Sequence, residues 1–449
     1  MLLDHDTIAA ISTPPGRGAI AIVRVSGEAA FDIGRSIMER WPLSTRHCVL
    51  SRVKDPIANT WLDQGILTRF DSGASYTGEK LFEFSGHGGL ATPSAVLGVI
   101  LRSGARHARP GEFTQRAVLN GRMDLVQAES IGDLVDAQTE AQRRIAFSNA
   151  TGTLSVYAAQ LYQHLVELEA LIAYDLDFPE EDDGPIPRGR IDSIARDSLT
   201  VLKRLLSTRE TAEIAKHGAV VVIAGRPNCG KSSLFNALLG EDRAIVTEHE
   251  GTTRDAIEVL LDHPEIPLRL VDTAGLRETT DVIERLGIEV SVRHLKDAHL
   301  VLVCGDQAEG IEETIQAIRM LGVNAAVMRV RTKADLHPGE ADENCQVVSA
   351  VTGQGLPELL RSVRDSISAQ LDHIELTTPI VTRVRQQIAL DEARLELEAF
   401  LAAWSTGSVP TVMAVVHVRQ AAHALAEMIG KIDVDTILGA VFERFCVGK

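Results

Sequence analysis

Short apolar runs bounded by turn-forming residues characterise the first 118 residues. Ala19–Val25 and Leu81–Phe84 are apolar stretches of strand length, and clusters of glycine and proline precede or follow them. Such punctuation predicts short strands. Because the segments between these runs lack the strand pattern, we expect a mixed α/β domain.

The spacing of apolar residues becomes helical between about residues 119 and 174. An amphipathic helix places its buried residues three or four positions apart, and this region shows that period. The clearest stripe consists of Leu161, Leu165, Leu168 and Ile172. The same spacing returns after residue 373, so we expect helices on both sides of the intervening segment.

Strand-like runs alternate with helical stretches between about Val220 and Asp372. This rhythm is typical of βαβ units in an open, mostly parallel sheet. Helices on both sides predict a discontinuous helical domain into which this α/β domain is inserted. We therefore divide this multidomain α/β protein into four segments: 1–118, an N-terminal domain; 119–214, the first helical part; 215–374, the inserted domain; and 375–449, the second helical part.

Composition and charge narrow the class of protein. The 449 residues are 45% hydrophobic, 24% charged and 4% aromatic, with a formal net charge of −17. This is the composition of a globular protein, and the negative charge argues against non-specific binding to nucleic acid. The five cysteines are scattered without a CxxC pair, and no apolar run reaches the ~18–20 residues of a membrane span. We expect a cytoplasmic protein without a signal peptide, a disulfide framework, a structural zinc ion or membrane association.

A phosphate-binding motif occupies Gly225–Ser232. Its sequence, GRPNCGKS, follows a strand-like run and precedes a helical stretch, which is the context that a P-loop requires. The glycines allow backbone N–H groups to surround phosphates, Lys231 supplies a positive charge to the β- and γ-phosphates, and Ser232 offers a hydroxyl to Mg²⁺. The motif predicts a nucleoside triphosphate site.

Three further motifs follow in the order found in GTPases. In Asp272–Gly275 (DTAG), the aspartate is suited to the Mg²⁺ shell and the last amide to the γ-phosphate. In Thr332–Asp335 (TKAD), the final carboxylate can accept both N1–H and N2–H₂ of guanine, a donor pair that adenine lacks. Ser349–Ala350 completes the expected base pocket. These motifs indicate a GTPase domain.

The residue that orients the attacking water is not fixed by the motifs. Leu276 follows DTAG, and its side chain cannot orient water as a glutamine would. A downstream carboxylate is the natural substitute, and Glu278, Asp281 and Glu284 are the candidates. Asn228 in the P-loop has an amide oxygen that could ligate a monovalent cation where other GTPases use an arginine finger.

Eight segments are distributed over the whole chain: STPPGRGAIAIVRVSG (12–27), SYTGEKLFEFSGHGG (75–89), ARPGEFTQRAVLNGRMDLVQAE (108–129), DFPEED (177–182), GRPNCGKSSLFNALLG (225–240), GTTRD (251–255), DTAGLRE (272–278) and FCVGK (445–449). Together they resemble the MnmE family, also called TrmE, of tRNA-modification GTPases. The resemblance implies an N-terminal folate-binding and dimerisation domain, a discontinuous helical domain and an inserted Ras-like G domain.

The resemblance also implies an activity and partners. Family members hydrolyse GTP and, with an FAD-containing MnmG partner, add an aminomethyl or carboxymethylaminomethyl group at C5 of wobble uridine 34 in certain tRNAs. The one-carbon unit comes from a tetrahydrofolate derivative, the 5-formyl or methylene form. The implied cofactors of this chain are K⁺, Mg²⁺ and folate, with FAD on the partner only. A homodimer that joins MnmG and tRNA is the implied assembly.

Family sites fall on defined positions of this sequence. The folate contacts fall on Arg24, Glu83, Arg122 and Lys449, where Arg122 replaces the usual lysine and taken alone would be assigned to a solvated helix surface. The potassium positions are Asn228, Thr247, His249 and Thr252, and the magnesium ligands are Ser232 and Thr253. Among the three carboxylates left open above, Glu284 matches the residue that orients water.

Two positions have competing interpretations. Cys446 matches a family nucleophile or general acid, but it is equally suited to finish an apolar helix face. Thr332 replaces the asparagine that is commoner at the start of the base-recognition motif, so we expect weaker guanine binding. The motifs and the resemblance together imply these nucleotide contacts: Asn228, Cys229, Gly230, Lys231, Ser232, Ser233, Thr247, Glu248, His249, Glu250, Gly251, Thr252, Thr253, Asp272, Thr273, Ala274, Gly275, Thr332, Lys333, Ala334, Asp335, Ser349 and Ala350.

Two functional hypotheses follow. The first is a GTP-switched tRNA modification enzyme, and the second is a ribosome-assembly GTPase, since DTAGL and GTTRD occur in both classes. The N-terminal segments and FCVGK favour the first. A basic segment with Arg102, Arg106, Arg109, Arg116 and Arg122, followed by Arg143–Arg144, is either a tRNA contact or a solvated surface.

Overall fold

The structure is a computed structural model that describes residues 6–177, 188–241, 244–245, 257–272, 294–336, 345–370, 379–406, 411–431 and 448. The chain divides into two compact units. The first, here called the N-terminal unit, comprises residues 1–132, 150–170 and 415–449, and the second, the P-loop unit, comprises residues 133–149 and 171–414.

A mixed sheet forms the centre of the N-terminal unit. Its strands among the described residues are β1 (Ile8–Ile11), β2 (Ile20–Ser26), β3 (His47–Asp55), β4 (Thr60–Phe70), β5 (Leu81–His87) and β6 (Arg106–His107). They lie in the order β3-β4-β5-β2-β1-β6, and every pair is antiparallel except β1 with β6. The strands predicted at Ala19–Val25 and Leu81–Phe84 are confirmed as β2 and β5.

Alternation along the strands determines which face of this sheet is covered. Val23, Val25, Phe82 and Phe84 all lie on one face and are at most 2% exposed. They form one core cluster with residues of the first two helices. Burial of alternate apolar side chains in this way stabilises a sheet with one covered face.

Helices account for most of the remaining described chain. In chain order they are α1 (Ala30–Ile37), α2 (Ala91–Arg102), α3 (Glu112–Leu119), α4 (Leu125–Asp136), α5 (Glu140–Ala150), α6 (Thr153–Asp177), α7 (Arg188–Ser207), α8 (Arg209–His217), α9 (Lys231–Glu241), α10 (Ala308–Met320), α11 (Leu356–Gln370), α12 (Val384–Thr406) and α13 (Thr411–Met428). The stripe predicted on α6 is confirmed, since Leu161, Leu165, Leu168 and Ile172 are all at most 2% exposed.

The P-loop unit contains the predicted, mostly parallel sheet. Its strands among the described residues are β7 (Ala219–Gly225), β8 (Ala244–Ile245), β9 (Ile257–Leu261), β10 (Leu268–Asp272), β11 (Leu300–Gly305), β12 (Ala326–Arg331) and β13 (Cys345–Val347). Their order is β13-β12-β11-β7-β10-β9-β8. The five strands from β13 to β10 are parallel, whereas β9 is antiparallel to both of its neighbours.

The central strands of this sheet are apolar on both faces. Val221, Val222 and Ile223 of β7 are completely buried, as are Val301 and Leu302 of β11. Continuous apolar runs are expected where a parallel sheet is covered on both sides. The carboxyl ends of the parallel strands meet at one edge, which is where open α/β sheets bind ligands.

A buried arginine connects three parts of the N-terminal unit. The Arg116 side chain is 3% exposed. Its guanidinium donates to Asp6 Oδ1 at 2.7 Å, to Glu79 Oε1 at 3.1 Å and to Glu112 Oε1 at 3.1 Å. These carboxylates belong to the segment before β1, the loop before β5 and helix α3, so one cation holds three chain segments together.

Much of the basic segment forms ion pairs within the fold, and its side chains differ in exposure: that of Arg116 is 3% exposed, whereas those of Arg102 and Arg109 are each 53% exposed. Arg106 pairs with Glu112 at 2.5 Å, and Arg102 pairs with Asp55 at 2.8 Å. Arg109 lies 3.5 Å from the same Glu112 carboxylate. Arg102 and Arg109 are therefore both solvated and paired, and a tRNA contact by this segment stays a prediction.

Acid should weaken the N-terminal unit through Glu112. Burial alone would raise the pKa of Glu112, but hydrogen bonds from Arg106, from the backbone N–H of Arg109 and from Arg116 lower it to about 2. Its ordinary value is 4.5, so this carboxylate stabilises the fold fully at neutral pH. That stabilisation is lost as the pH falls from about 4.5 through about 2.

We therefore expect Glu112→Gln to lower the free energy of unfolding at pH 7 by about 2–4 kcal/mol. The variant should also lose less stability than the wild-type protein between pH 5 and pH 3. Urea unfolding followed by tryptophan fluorescence measures both effects. Glu28→Gln, at a carboxylate whose side chain is 78% exposed, is the control. Equal pH dependence in wild type and Glu112→Gln would contradict the assignment.

Candidate functional site

The P-loop connects the end of β7 with the start of α9. Gly225 has a φ of +153° and Gly230 a φ of +97°. A Cβ at residue 225 would lie 2.3 Å from the carbonyl oxygen of Cys304, so a side chain does not fit there. Asn228 has a φ of +63°, a conformation that asparagine tolerates better than most residues. The loop therefore has the tight shape that backbone contacts to phosphate require.

Three of the predicted phosphate and magnesium residues lie at the carboxyl edge of the sheet. Lys231 is 9% exposed, and its ammonium donates to the carbonyl oxygens of Gly225 and Arg226, each at 2.9 Å. Asp272 ends β10, which pairs with β7, and it is 3% exposed. Ser232 is exposed in the first turn of α9. A cation, a hydroxyl and a carboxylate thus lie on neighbouring elements of one edge.

The base-recognition motif is fastened to the P-loop by two side chains. Thr332 is buried, and its hydroxyl hydrogen-bonds to the carbonyl oxygen of Cys229. The Lys333 ammonium donates to the carbonyl oxygen of Asn228 at 2.8 Å. Thr332 therefore retains a connection between the two loops even though it replaces the commoner asparagine.

Asp335 is held in place by Ser349. The Ser349 hydroxyl donates to Asp335 Oδ1 at 2.6 Å and accepts the backbone N–H groups of Val351 and Thr352. The backbone N–H of Ala334 also donates to the carbonyl oxygen of Val348 at 3.1 Å. The TKAD and Ser349–Ala350 segments, predicted separately from the sequence, thus form one hydrogen-bonded pocket wall.

Two cysteines of this unit, Cys229 and Cys304, are buried. Cys229 is 4% exposed, and burial is the main cause that raises the pKa of its thiol. Cys304 is completely buried, and burial likewise raises its pKa. None of Cys48, Cys229, Cys304 and Cys345 forms a disulfide bond within the described part of the chain.

Arg24 and Glu83, two predicted folate contacts, form an ion pair. They lie opposite each other in the register of β2 and β5, and Arg24 Nε donates to Glu83 Oε1 at 2.8 Å. The Arg24 guanidinium also lies 5.2 Å from the centre of the Tyr76 ring and 5.5 Å from that of Phe113. Sequence reasoning did not single out these two rings, although both lie inside segments that resemble the family.

Gly448 and Arg122 lie near the Arg24–Glu83 ion pair and the loop that contains Tyr76. Arg24 Nη1 lies 3.4 Å from the carbonyl oxygen of Gly448, the residue before Lys449. A Cβ at Gly78, which has a φ of +81°, would lie 3.3 Å from the Arg122 side chain. Because Gly78 belongs to the same short loop as Tyr76, three of the four predicted folate residues are grouped around that loop.

Other predicted residues lie outside the described residues. They are the switch residues 247–253, Thr273, Ala274, Gly275, the candidate carboxylates Glu278, Asp281 and Glu284, Cys446 and Lys449. Within the described part of the chain, no group of three or more His, Cys, Asp or Glu residues is arranged to hold a metal ion. None of the described helices is long and apolar enough to cross a bilayer.

Removal of the Thr332 hydroxyl should weaken nucleotide binding. Thr332→Val keeps the side-chain shape but leaves the buried carbonyl of Cys229 without a donor, which costs about 1–3 kcal/mol. We expect the affinity for GDP to fall by roughly 5–150-fold, measured by titration with fluorescent GDP. Thr332→Ser keeps the hydroxyl and should bind within about twofold of wild type. Equal losses in both variants would show that the methyl group, and not the hydrogen bond, maintains the loop.

Family models cover almost the whole chain. The model of the MnmE helical domain matches residues 125–446, and the model described as the GTP-binding protein TrmE N-terminus matches residues 7–122. Among solved structures, the G domain of the T. maritima FeoB iron transporter is 26% identical over 33% of this chain and 99% of its own. Its TM-score is 0.27, too low to support an argument.

Curated relatives match from end to end. The tRNA modification GTPase MnmE of Aquifex aeolicus is 36% identical over 99% of this chain and 100% of its own. The proteins of the same name from Azoarcus sp. and Thermus thermophilus are each 39% identical over 99% of this chain, and over 98% and 99% of their own lengths. With both family models matched as well, the chain belongs to the MnmE family of tRNA-modification GTPases.

Proposed function

We propose that this protein is a potassium-dependent GTP hydrolase that modifies wobble uridine 34 of certain tRNAs together with an FAD-containing MnmG-type partner. The product is an aminomethyl or carboxymethylaminomethyl group at C5, and a tetrahydrofolate derivative donates the one-carbon unit. The observation that carries the proposal is the similarity over 99% of the chain to relatives named tRNA modification GTPase. We also propose the domain division inferred from the sequence, with segments 1–118, 119–214, 215–374 and 375–449.

The nucleotide residues have separate roles in the proposed hydrolysis. Lys231 balances charge on the β- and γ-phosphates, and Asp335 selects guanine. Ser232 and Asp272 offer oxygen ligands at the sheet edge, the donor type that Mg²⁺ prefers, and Thr253 is proposed as a further ligand. Bound Mg²⁺ supplies charge neutralisation at the phosphates.

Water and the monovalent cation complete the proposed site. Leu276 leaves the usual water-orienting position without a polar group, and Glu284 is proposed to take that role. Asn228, Thr247, His249 and Thr252 are proposed to hold K⁺, whose positive charge would replace an arginine finger. Of these residues, Asn228 lies within the described structure, exposed on the P-loop.

The folate proposal rests on the Arg24 region. Glu83 is suited to accept the N–H groups of the pterin ring, and its ion pair with Arg24 holds the carboxylate in place. The Tyr76 and Phe113 rings supply the apolar, aromatic surroundings that a flat heterocycle requires. Arg122 and Lys449 are proposed to complete the cationic side of this site.

Cys446 is proposed as the nucleophile or general acid of the modification. Gly448 lies beside Arg24. Cys446 precedes Gly448 by two residues in the sequence, which supports a role for its thiol in the folate-dependent step.

The surface chemistry supports the proposed partners. Ile20, Leu50 and Ile66 are 63%, 51% and 42% exposed on the N-terminal sheet, as expected of a surface that a second copy covers in a homodimer. The net charge of −17 and the neutralised arginines argue that the MnmG-type partner supplies much of the tRNA-binding charge. A cytoplasmic location is proposed because tRNA is the substrate.

Reconstitution with a MnmG-type protein, tRNA, GTP, K⁺ and methylene-tetrahydrofolate tests this function. We expect a modified uridine 34 by mass spectrometry of the nucleosides. Arg24→Ala should abolish the product and reduce folate affinity about tenfold or more, because a charge-assisted contact is lost. Its GTP hydrolysis should persist, and Arg35→Ala should behave as wild type. A wild-type protein that hydrolyses GTP but leaves tRNA unmodified would reopen the ribosome-assembly alternative.

Comparison of GTP hydrolysis in KCl and NaCl at equal ionic strength tests the cation. We expect strong activity in K⁺, little in Na⁺, and a loss of about 10²-fold or more in Glu284→Ala. Glu358→Ala, at an exposed position of α11, should retain wild-type activity. Equal rates in the two salts would eliminate the potassium site.

A further inference from the structure

The β3–β4 hairpin carries an exposed tryptophan beside two cations. Trp61 is 47% exposed, and the guanidinium of Arg52 lies 4.2 Å from the centre of its ring. The ammonium of Lys54 lies 5.7 Å from the same centre. These three residues, Arg52, Lys54 and Trp61, are here called the hairpin tip. They combine an aromatic surface with adjacent positive charge on the outside of the protein.

Strand register places the three side chains on the outer face of the sheet. Trp61 is opposite Lys54, and residues opposite each other in two paired strands share a face. Arg52 lies two residues before Lys54 and therefore shares that face as well. Val53, between them, points to the other face and is completely buried in the core. The hairpin tip thus faces away from the core.

The hairpin tip is separate from the surface that is proposed for the homodimer. Leu50 and Ile66 lie opposite each other on β3 and β4, and Trp61 is five residues, about 17 Å, from Ile66 along its strand. Ile20 lies on β2, which is two strands away from β4 in the sheet. A second copy that covers these apolar residues can leave Trp61 accessible.

The surroundings of the hairpin tip are positively charged, although the whole chain carries a net charge of −17. Glu39 accepts hydrogen bonds from Arg52 Nε at 2.8 Å and from Arg52 Nη2 at 2.6 Å, which hold the guanidinium beside the ring. Hydrogen bonds from Arg52, together with the charges of Arg52 and Arg40, lower the pKa of Glu39. The neighbouring Asp55 is buried. Arg40, Arg52 and Lys54 therefore outnumber the one exposed carboxylate beside them.

This combination of groups is suited to unpaired RNA. Bases without a pairing partner stack on aromatic rings and on arginine planes, while lysine and arginine attract the phosphates on either side. The substrate proposed above is the wobble uridine of a tRNA, which belongs to the unpaired anticodon loop. The proposed substrate thus offers the two chemical groups, flat bases and phosphates, that the hairpin tip can bind.

We propose that the hairpin tip binds the anticodon loop of tRNA, with one unpaired base stacked on Trp61 and the adjoining phosphates held by Lys54 and Arg52. The inference rests on the proposed tRNA modification and adds the surface on which this chain holds its substrate. Every base has a face that can stack on an indole, so this contact contributes affinity without selecting a base.

Binding of a fluorescein-labelled anticodon stem-loop RNA to the full-length protein tests the hairpin tip. Trp61→Ala should lower the affinity by about 5–150-fold, because stacking of a base on an aromatic ring contributes about that factor. Trp61→Phe keeps an aromatic ring and should lose much less affinity. Phe147→Ala, at an aromatic residue of the P-loop unit that is 54% exposed, is the matched control and should bind as wild type.

Salt dependence separates the stacking contact from the charge contact. Lys54→Gln should reduce the slope of log affinity against log salt concentration by about 0.7, the value for one phosphate contact to a single strand. Trp61→Ala should leave this slope unchanged, since stacking releases no counterions. Lys296→Gln, at an exposed lysine of the P-loop unit, should change neither the slope nor the affinity.

The same variants are compared for GTP hydrolysis, oligomeric mass and tRNA modification with the MnmG-type partner. In Trp61→Ala, GTP hydrolysis, mass and kcat should match wild type, while the KM for tRNA should rise with the loss of RNA affinity. Equal stem-loop affinity in wild type and Trp61→Ala would overturn the inference alone. If that equal affinity accompanied a changed mass or loss of the MnmG-type partner, the hairpin tip would be a protein contact instead. A wild-type protein that binds the stem-loop through Trp61 but leaves tRNA unmodified would overturn the proposed function and not the RNA contact.

Discussion

The buried guanidinium of Arg116 is the interaction on which the N-terminal unit depends. It joins Asp6, Glu79 and Glu112, and loss of any one of these carboxylates would leave a cation only 3% exposed without full compensation. The loop that includes Glu79 also contains Tyr76, and helix α3 contains Phe113 beside Glu112. The two rings that flank Arg24 are thus positioned by an ion network that does not itself touch the candidate ligand.

In the P-loop unit, hydrogen bonds at one edge of the sheet join the loops, as the ion network joins segments of the N-terminal unit. Thr332 and Lys333 bond to carbonyl oxygens of the P-loop, while Ser349 holds Asp335. These contacts join strand ends that the parallel sheet already places side by side. A change in the phosphate loop therefore acts directly on the base pocket, which links base selection to the phosphate geometry.

Ion pairs within the fold involve several arginines that the sequence offered as candidate tRNA contacts. The segment around residues 102–116 is rich in arginine, and sequence alone could not tell a nucleic-acid contact from a solvated surface. In the fold, carboxylates from distant segments reach these arginines, as Asp6 reaches Arg106 across 100 residues. Partners at such separations leave no local pattern, so the sequence could not show which of these arginines form ion pairs within the fold.

The sequence was sufficient to predict the P-loop between a strand and a helix, because this motif is one contiguous segment whose backbone shape follows from nearby residues. It likewise determined the helical stripes and the mostly parallel sheet, which depend on local periodicity. Only the tertiary structure placed Gly448 beside Arg24, 424 residues away, or set Asp63 behind His87. These contacts depend on the register of the strands and on the path that brings the C-terminal residues back to the sheet. Both arise from packing of the whole unit and are not encoded in any short segment.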